Sequence, residues 1–135
     1  MKLTLKKSYE MIEAAHKKAE ELGIKVVVAV TDASGHLIAL GRMDDAAWGS
    51  ISVAVNKAFT AAAWGLSTGD IAEQAGTSGP MHSIHFSNDL KLITFGGGMP
   101  LRDADGQLIG AIGVSAGTVE EDVQCAQAGC DALLI

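Results

Sequence analysis

Residues 24–31 read Ile-Lys-Val-Val-Val-Ala-Val-Thr, a β-branched run almost without polar side chains. The alternation that marks a strand with one wet face is missing, so this strand must be covered on both faces. Residues 107–115, Gln-Leu-Ile-Gly-Ala-Ile-Gly-Val-Ser, have the same double-sided character. Two such strands demand helices on both sides of one sheet, and the sequence supplies them. Residues 4–22 form an amphipathic helix. Leu5, Tyr9, Met11, Ile12, Ala15, Ala19 and Leu22 share one sector, and Gly23 stands at the C′ position that ends it. Residues 49–64 form a second helix, alanine-rich and apolar nearly all round, whose small side chains let another backbone come close. Ser67 with Asp70 caps a short helix over 68–75, and Thr118 with Glu121 is a capping box opening a last helix over 118–133.

Asp32-Ala33-Ser34-Gly35 and Asp103-Ala104-Asp105-Gly106 are hairpin turns. The first joins the 24–31 strand to a strand over 36–42. The second joins a strand over 99–102 to the 107–115 strand. Residues 84–87 are a candidate short strand and 91–95 a better one. The resulting order, α-β-β-α-α-β-β-β-α, combines antiparallel hairpins with segregated helices and is an α+β fold.

A chain of 135 residues is expected to form one domain, 1–135, with a core that needs no disulfide staples. Aromatic residues make up 4% and 16 residues are glycine, so that core is Val, Ile, Leu and Ala with closely approaching backbones. The net charge of −6 disfavours nucleic acid and anionic membrane as partners. No run reaches the roughly 18 apolar residues of a membrane span. Met1–Lys7 lacks the apolar stretch of a signal peptide, so a cytoplasmic location is expected. Cys125 and Cys130, five apart, suit neither a C-x-x-C redox pair nor a zinc knuckle. The apolar surface left by a short α+β domain points to a homo-oligomer, a dimer or a larger even-numbered ring.

The candidate chemistry rests on few residues. His16 falls in the apolar sector of the first helix, where an imidazole is either a core-edge side chain bonded to backbone or a neutral ligand for a metal centre. His36 follows a turn glycine and reads as solvated. His82 and His85 lie three apart near an expected cleft with no carboxylate on the same element, which argues against a dedicated zinc site. Lys57 shares a face with apolar residues. Its ammonium either snorkels to the helix edge or points into a pocket to pair with a carboxylate. Arg42 beside Asp44 is either a structural tie or an anion binder. Gly96-Gly97-Gly98 is either an anion cradle of exposed N–H groups or a bulge that lets a helix pack flat. Arg42, Lys57 and Gly96–Gly98 are expected around one cleft. No phosphate-binding glycine motif and no nucleophile elbow is present.

Four stretches together resemble the GlcG/HbpS-like family. They are Val30–Leu37 with Arg42–Ala46, Asn56–Ala61, Phe95–Leu101 and Gly110–Asp122, in order and spanning nearly the whole chain. The chain is similar to the C-terminal domain of PduO-type cobalamin adenosyltransferases, without the adenosyltransferase half. The resemblance implies a profilin-like fold, a five-stranded antiparallel sheet with helices on both faces, and oligomers. It also implies binding of heme or a corrinoid, in a setting of cobalamin-dependent diol or glycerol utilisation. It does not carry over an axial ligand. Heme iron needs His, Met, Cys or Tyr beside an apolar slot. Met43 and Met99 are weak choices and Cys130 reads as core, which leaves His16 first and His82 with His85 second. The alternatives are a structural oligomeric subunit and a small enzyme holding an organic acid between Arg42, Lys57 and the glycine loop.

Overall fold

The computed structural model describes residues 2–133. The chain runs α1 (Leu5–Leu22), β1 (Val27–Asp32), β2 (Leu37–Arg42), α2 (Ser50–Trp64), α3 (Thr68–Ala75), β3 (Gly98–Arg102), β4 (Leu108–Ser115) and α4 (Val119–Leu133). The strands form an antiparallel sheet in the order β2-β1-β4-β3. The two double-sided runs are thus the central strands, paired through Val27–Ser115 and Ala29–Gly113.

Alternate residues of β1 and its approach feed different cores. Val26, Val28 and Val30 pack with Met11, Ile12 and Ala15 of α1 and Cys125 and Ala126 of α4. Val27 and Ala29 face the other way, against Ala54 of α2 and Ala46. Helices on both faces are therefore what the sequence demanded. The local signals also hold: Gly23 ends α1 at φ 73°, the Thr118–Glu121 pair closes its capping box, and Ser67 accepts from the Asp70 amide. In both hairpins the leading aspartate accepts two amides of its own turn, Ser34 and His36 for Asp32, Asp105 and Gln107 for Asp103.

The α2 helix lies almost in backbone contact with the sheet. Gly98 and Gly113 face each other across β3 and β4. A Cβ on Gly113 would run into the Ala54 carbonyl, and one on Gly98 into the Lys57 carbonyl. The alanines of α2 and these glycines are two halves of one close approach.

The fifth strand is not formed among the described residues; the sheet has four. Residues 84–86 close a 3-10 turn, and Asn88, Asp89 and Leu90 follow with φ of 53°, 55° and 63°, a left-handed turn that no strand can continue through. Residues 91–95 pair with no strand. The Ile93 amide donates instead to the Thr60 hydroxyl of α2, at 3.0 Å. A side chain takes the place of a ladder because the paired segment begins only at Gly98.

The Thr31 hydroxyl is buried on β1 without a hydrogen-bond partner. An unpaired buried hydroxyl costs about 1–3 kcal/mol, whereas a methyl of similar shape costs nothing to desolvate. Thr31→Val is expected to stabilise the fold by about 1 kcal/mol, a gain read as a higher midpoint in urea.

Candidate functional site

Lys57 leaves α2 on the lower face of the sheet and ends beside α4 on the upper one. It is fully buried, 0% exposed. Its ammonium donates to the Val114 carbonyl at 2.7 Å and to Asp122 Oδ2 at 3.0 Å, and lies 5.0 Å from the centre of the Phe95 ring. The other carboxylate oxygen of Asp122 accepts from the Gly117 amide at 2.9 Å. Gly97, at φ 127°, makes the passage possible: a Cβ there would stand 2.6 Å from Lys57 Nζ. Burial pushes the Lys57 ammonium down and the Asp122 carboxyl up, while the attraction between the two opposes both shifts.

Lys57 and the glycine loop thus come together, but not as an open anion cradle. Gly96, Gly97 and Gly98 are all buried, and the carboxylate that Lys57 holds belongs to the chain itself. Asp122 went unnoticed in the sequence because it follows the capping-box Glu121 and reads as one more charge in a helix first turn. Arg42 is not at this site. It ends β2, and β1 and β4 stand between that strand and β3, so the expected cleft does not form.

Arg42 instead lines a groove of about 400 Å³ with His16, Glu20, Lys25, Met43 and Asp44. His16 also lines a neighbouring groove of about 500 Å³ along α1, with Tyr9, Ile12, Glu13, Lys17 and Glu20. The imidazole is half-buried between them, and its Nε2 lies 3.0 Å from the Gly41 carbonyl oxygen. A carbonyl only accepts, so Nε2 carries a proton and Nδ1 is the nitrogen that can serve as a ligand. Gly41 is the residue that admits the ring: a Cβ there would stand 2.8 Å from His16 Cε1 and 2.9 Å from Ile12 Cγ2. Sequence reasoning missed Gly41, which looks like any glycine near a strand end. The flank of α1 that carries His16 is open, with Leu5 at 49% and Tyr9 at 57% exposure, rather than the buried sector that periodicity suggested.

His82 and His85 are exposed on the arm between α3 and β3, where the His85 ring packs against Phe86 at 4.4 Å. Neither lines the grooves around His16. His36 Nδ1 donates to Asp32 Oδ2 across 3.3 Å on the outer turn. The thiols are poor ligands. Burial pushes Cys125 up to about 11 and Cys130 up to about 12, helped by Asp122 and Glu121 for the first and Asp131 for the second. Cys125 is the buried core thiol, whereas Cys130, read as core from the sequence, is only partly buried and packs against that core from its rim. Among the described residues no group of three His, Cys, Asp or Glu side chains is placed to hold a metal ion.

Residues 3–131 match the family model described as Haem degrading protein HbpS-like. The chain belongs to the HbpS-like family. It is 35% identical, over 96% of its length and 90% of the relative's, to the 15.0 kDa protein of the dhaT–dhaS intergenic region of Citrobacter freundii. It is 32% identical over 98% of its length to the corrinoid adenosyltransferase PduO of Citrobacter freundii, of which it spans 39%. The crystal structure titled PduOC:Heme Complex superposes with a TM-score of 0.93 at 33% identity, covering 98% of this chain and 95% of that one. The HbpS-like relatives thus include one solved with heme, and the α+β layout described above is theirs as well.

Two outcomes follow from the site geometry. Removing one partner of a buried pair strands the other charge, so Lys57→Met and Asp122→Leu alone are each expected to cost about 3–5 kcal/mol. The double variant is expected to cost clearly less than their sum, as read from denaturant midpoints. Ellman's reagent at neutral pH is expected to leave both thiols unmodified in the native protein and to titrate both after unfolding in guanidinium.

Proposed function

We propose that this chain binds heme, with His16 as the iron ligand. The observation that carries the reading is the His16–Gly41 contact. It holds the imidazole half out of the core, between two grooves, with one ring nitrogen bonded to backbone. Second partners of this kind fix the tautomer and raise the basicity of a metal-bound histidine. Ile12, Tyr9 and Met43 offer apolar surface beside the ring, and Lys17, Lys25 and Arg42 offer cations for peripheral carboxylates. These residues fit a tetrapyrrole. When bound, heme supplies an iron centre for ligand, electron or oxygen chemistry. The chain's own part is to present the imidazole in a fixed orientation and to offer apolar surface and cations beside it.

The likeness to PduO supports a corrinoid as the second reading, since imidazole ligates cobalt as well as iron. It also supports an accessory role in cobalamin-dependent diol or glycerol utilisation. The organic-acid reading loses its central cation, because Asp122 occupies Lys57.

Titration with hemin is expected to give a sharp Soret shift that saturates at one equivalent. His16→Ala is expected to abolish that signature, while His82→Ala/His85→Ala leaves it in place. Gly41→Val, which displaces the ring without removing it, is expected to weaken hemin binding about 10–100-fold, as loss of ligand orientation does. An unchanged spectrum in His16→Ala would overturn the assignment. A matching titration with aquocobalamin separates the corrinoid reading.

A further inference from the structure

The chain has two arginines, and they are used differently. The Arg102 guanidinium donates to the carbonyls of Gly106, at 3.1 Å, and Gly65, at 2.9 Å. The Arg42 guanidinium makes no hydrogen bond and no ion pair among the described residues, although Asp44 stands two positions on. Arg42 is exposed at the end of β2 and lines the groove beside His16. Lys25, the other cation of that groove, lies 3.5 Å from Asp45. The remaining charges around Arg42 are anionic, Glu20 and Asp44.

Arg42 is also tied to the imidazole. The Gly41 carbonyl that holds His16 and the Arg42 amide nitrogen belong to one planar peptide unit. The ladder to β1 fixes that unit, with Val28 opposite Gly41 and Val27 opposite Arg42. A ring seated on His16 therefore has a fork of N–H donors within one side chain's length of its ligand. A guanidinium meets a carboxylate with two parallel hydrogen bonds, whereas an amide oxygen is a single neutral acceptor. Glu20 and Asp44 repel a carboxylate unless that cation stands beside it. Lys17, in the neighbouring groove, is a point charge on a flexible stem and lacks the fork.

We propose that Arg42 determines the specificity of the His16 site, selecting a tetrapyrrole with carboxylates on its edge over a corrinoid, whose ring edge carries amides. The inference rests on the reading of His16 as the iron ligand. It adds which of the two ring classes the groove prefers, and by which contact.

Hemin, hemin dimethyl ester and aquocobalamin are titrated into the full chain in the same dilute detergent, with the Soret or corrin absorbance as readout. The ester keeps the iron and the ring and removes only the negative charges. Hemin is expected to bind about fivefold tighter than its ester, a gap that closes as salt is raised. Arg42→Gln is expected to lower hemin affinity by that factor and to leave the ester's affinity and the Soret position unchanged, which erases the gap. Arg42→Lys is expected to keep only part of it. Lys18→Gln, at an ammonium 3.6 Å from Glu21 that lines neither groove, is expected to change nothing. Three results would each overturn the proposal while hemin binding at His16 stands: equal wild-type affinity for hemin and its ester, aquocobalamin bound as tightly as hemin, or a larger loss in Lys17→Gln than in Arg42→Gln. A wild type that gives no Soret shift with hemin or ester overturns the iron-ligand reading itself, and this proposal with it.

Discussion

The buried ion pair between Lys57 and Asp122 joins the two layers of helix that the sheet otherwise keeps apart. Lys57 belongs to the α2 layer and Asp122 to the first turn of α4 on the opposite face. The pair costs desolvation on both sides, and the structure offsets that cost with the Val114 carbonyl, the Gly117 amide and the Phe95 ring. None of these can form unless β4, the loop after it and the glycine run before β3 are all in place. The pair therefore fixes where α4 begins and how far α2 sinks toward the sheet, more than it adds net stability.

Glycine at 97, 98 and 113 is the geometric counterpart of that pair. A side chain at Gly97 meets the ammonium, and side chains at Gly98 and Gly113 meet the α2 backbone. The alanines of α2 bring the helix close, and the lysine can then cross with no water around it. Of the two readings the glycine run allowed, an anion cradle and a bulge for close helix packing, the structure favours the second, with Gly97 leaving room for the chain's own cation. The site that faces outward lies at the opposite edge of the sheet. There α1 crosses β2, and Gly41 again spends its missing side chain on a neighbour, the His16 imidazole.

This division places the structural charges and the outward-facing groups in different parts of the molecule. Lys57 and Asp122 are sealed, whereas His16, Lys25 and Arg42 sit beside open grooves at the free β2 edge.

Local physics determined a large part of this protein. Double-sided hydrophobicity identified β1 and β4 as strands covered on both faces and demanded helices on both sides of the sheet. Capping residues, turn aspartates and the glycine after α1 set boundaries, since each signal acts within a few residues of itself. Residues 91–95 misled because Leu-Ile-Thr-Phe reads as a strand until one knows that the Thr60 hydroxyl, thirty-three positions away, holds the Ile93 amide. The order of strands, the partner of Lys57 and the company of Arg42 were likewise settled only in three dimensions. Lys57 and Asp122 are 65 residues apart, and His16 and Gly41 are 25 apart. Side-chain periodicity reports which face of an element is apolar. It carries no information on which other element arrives there, because that choice belongs to the packing of the whole sheet.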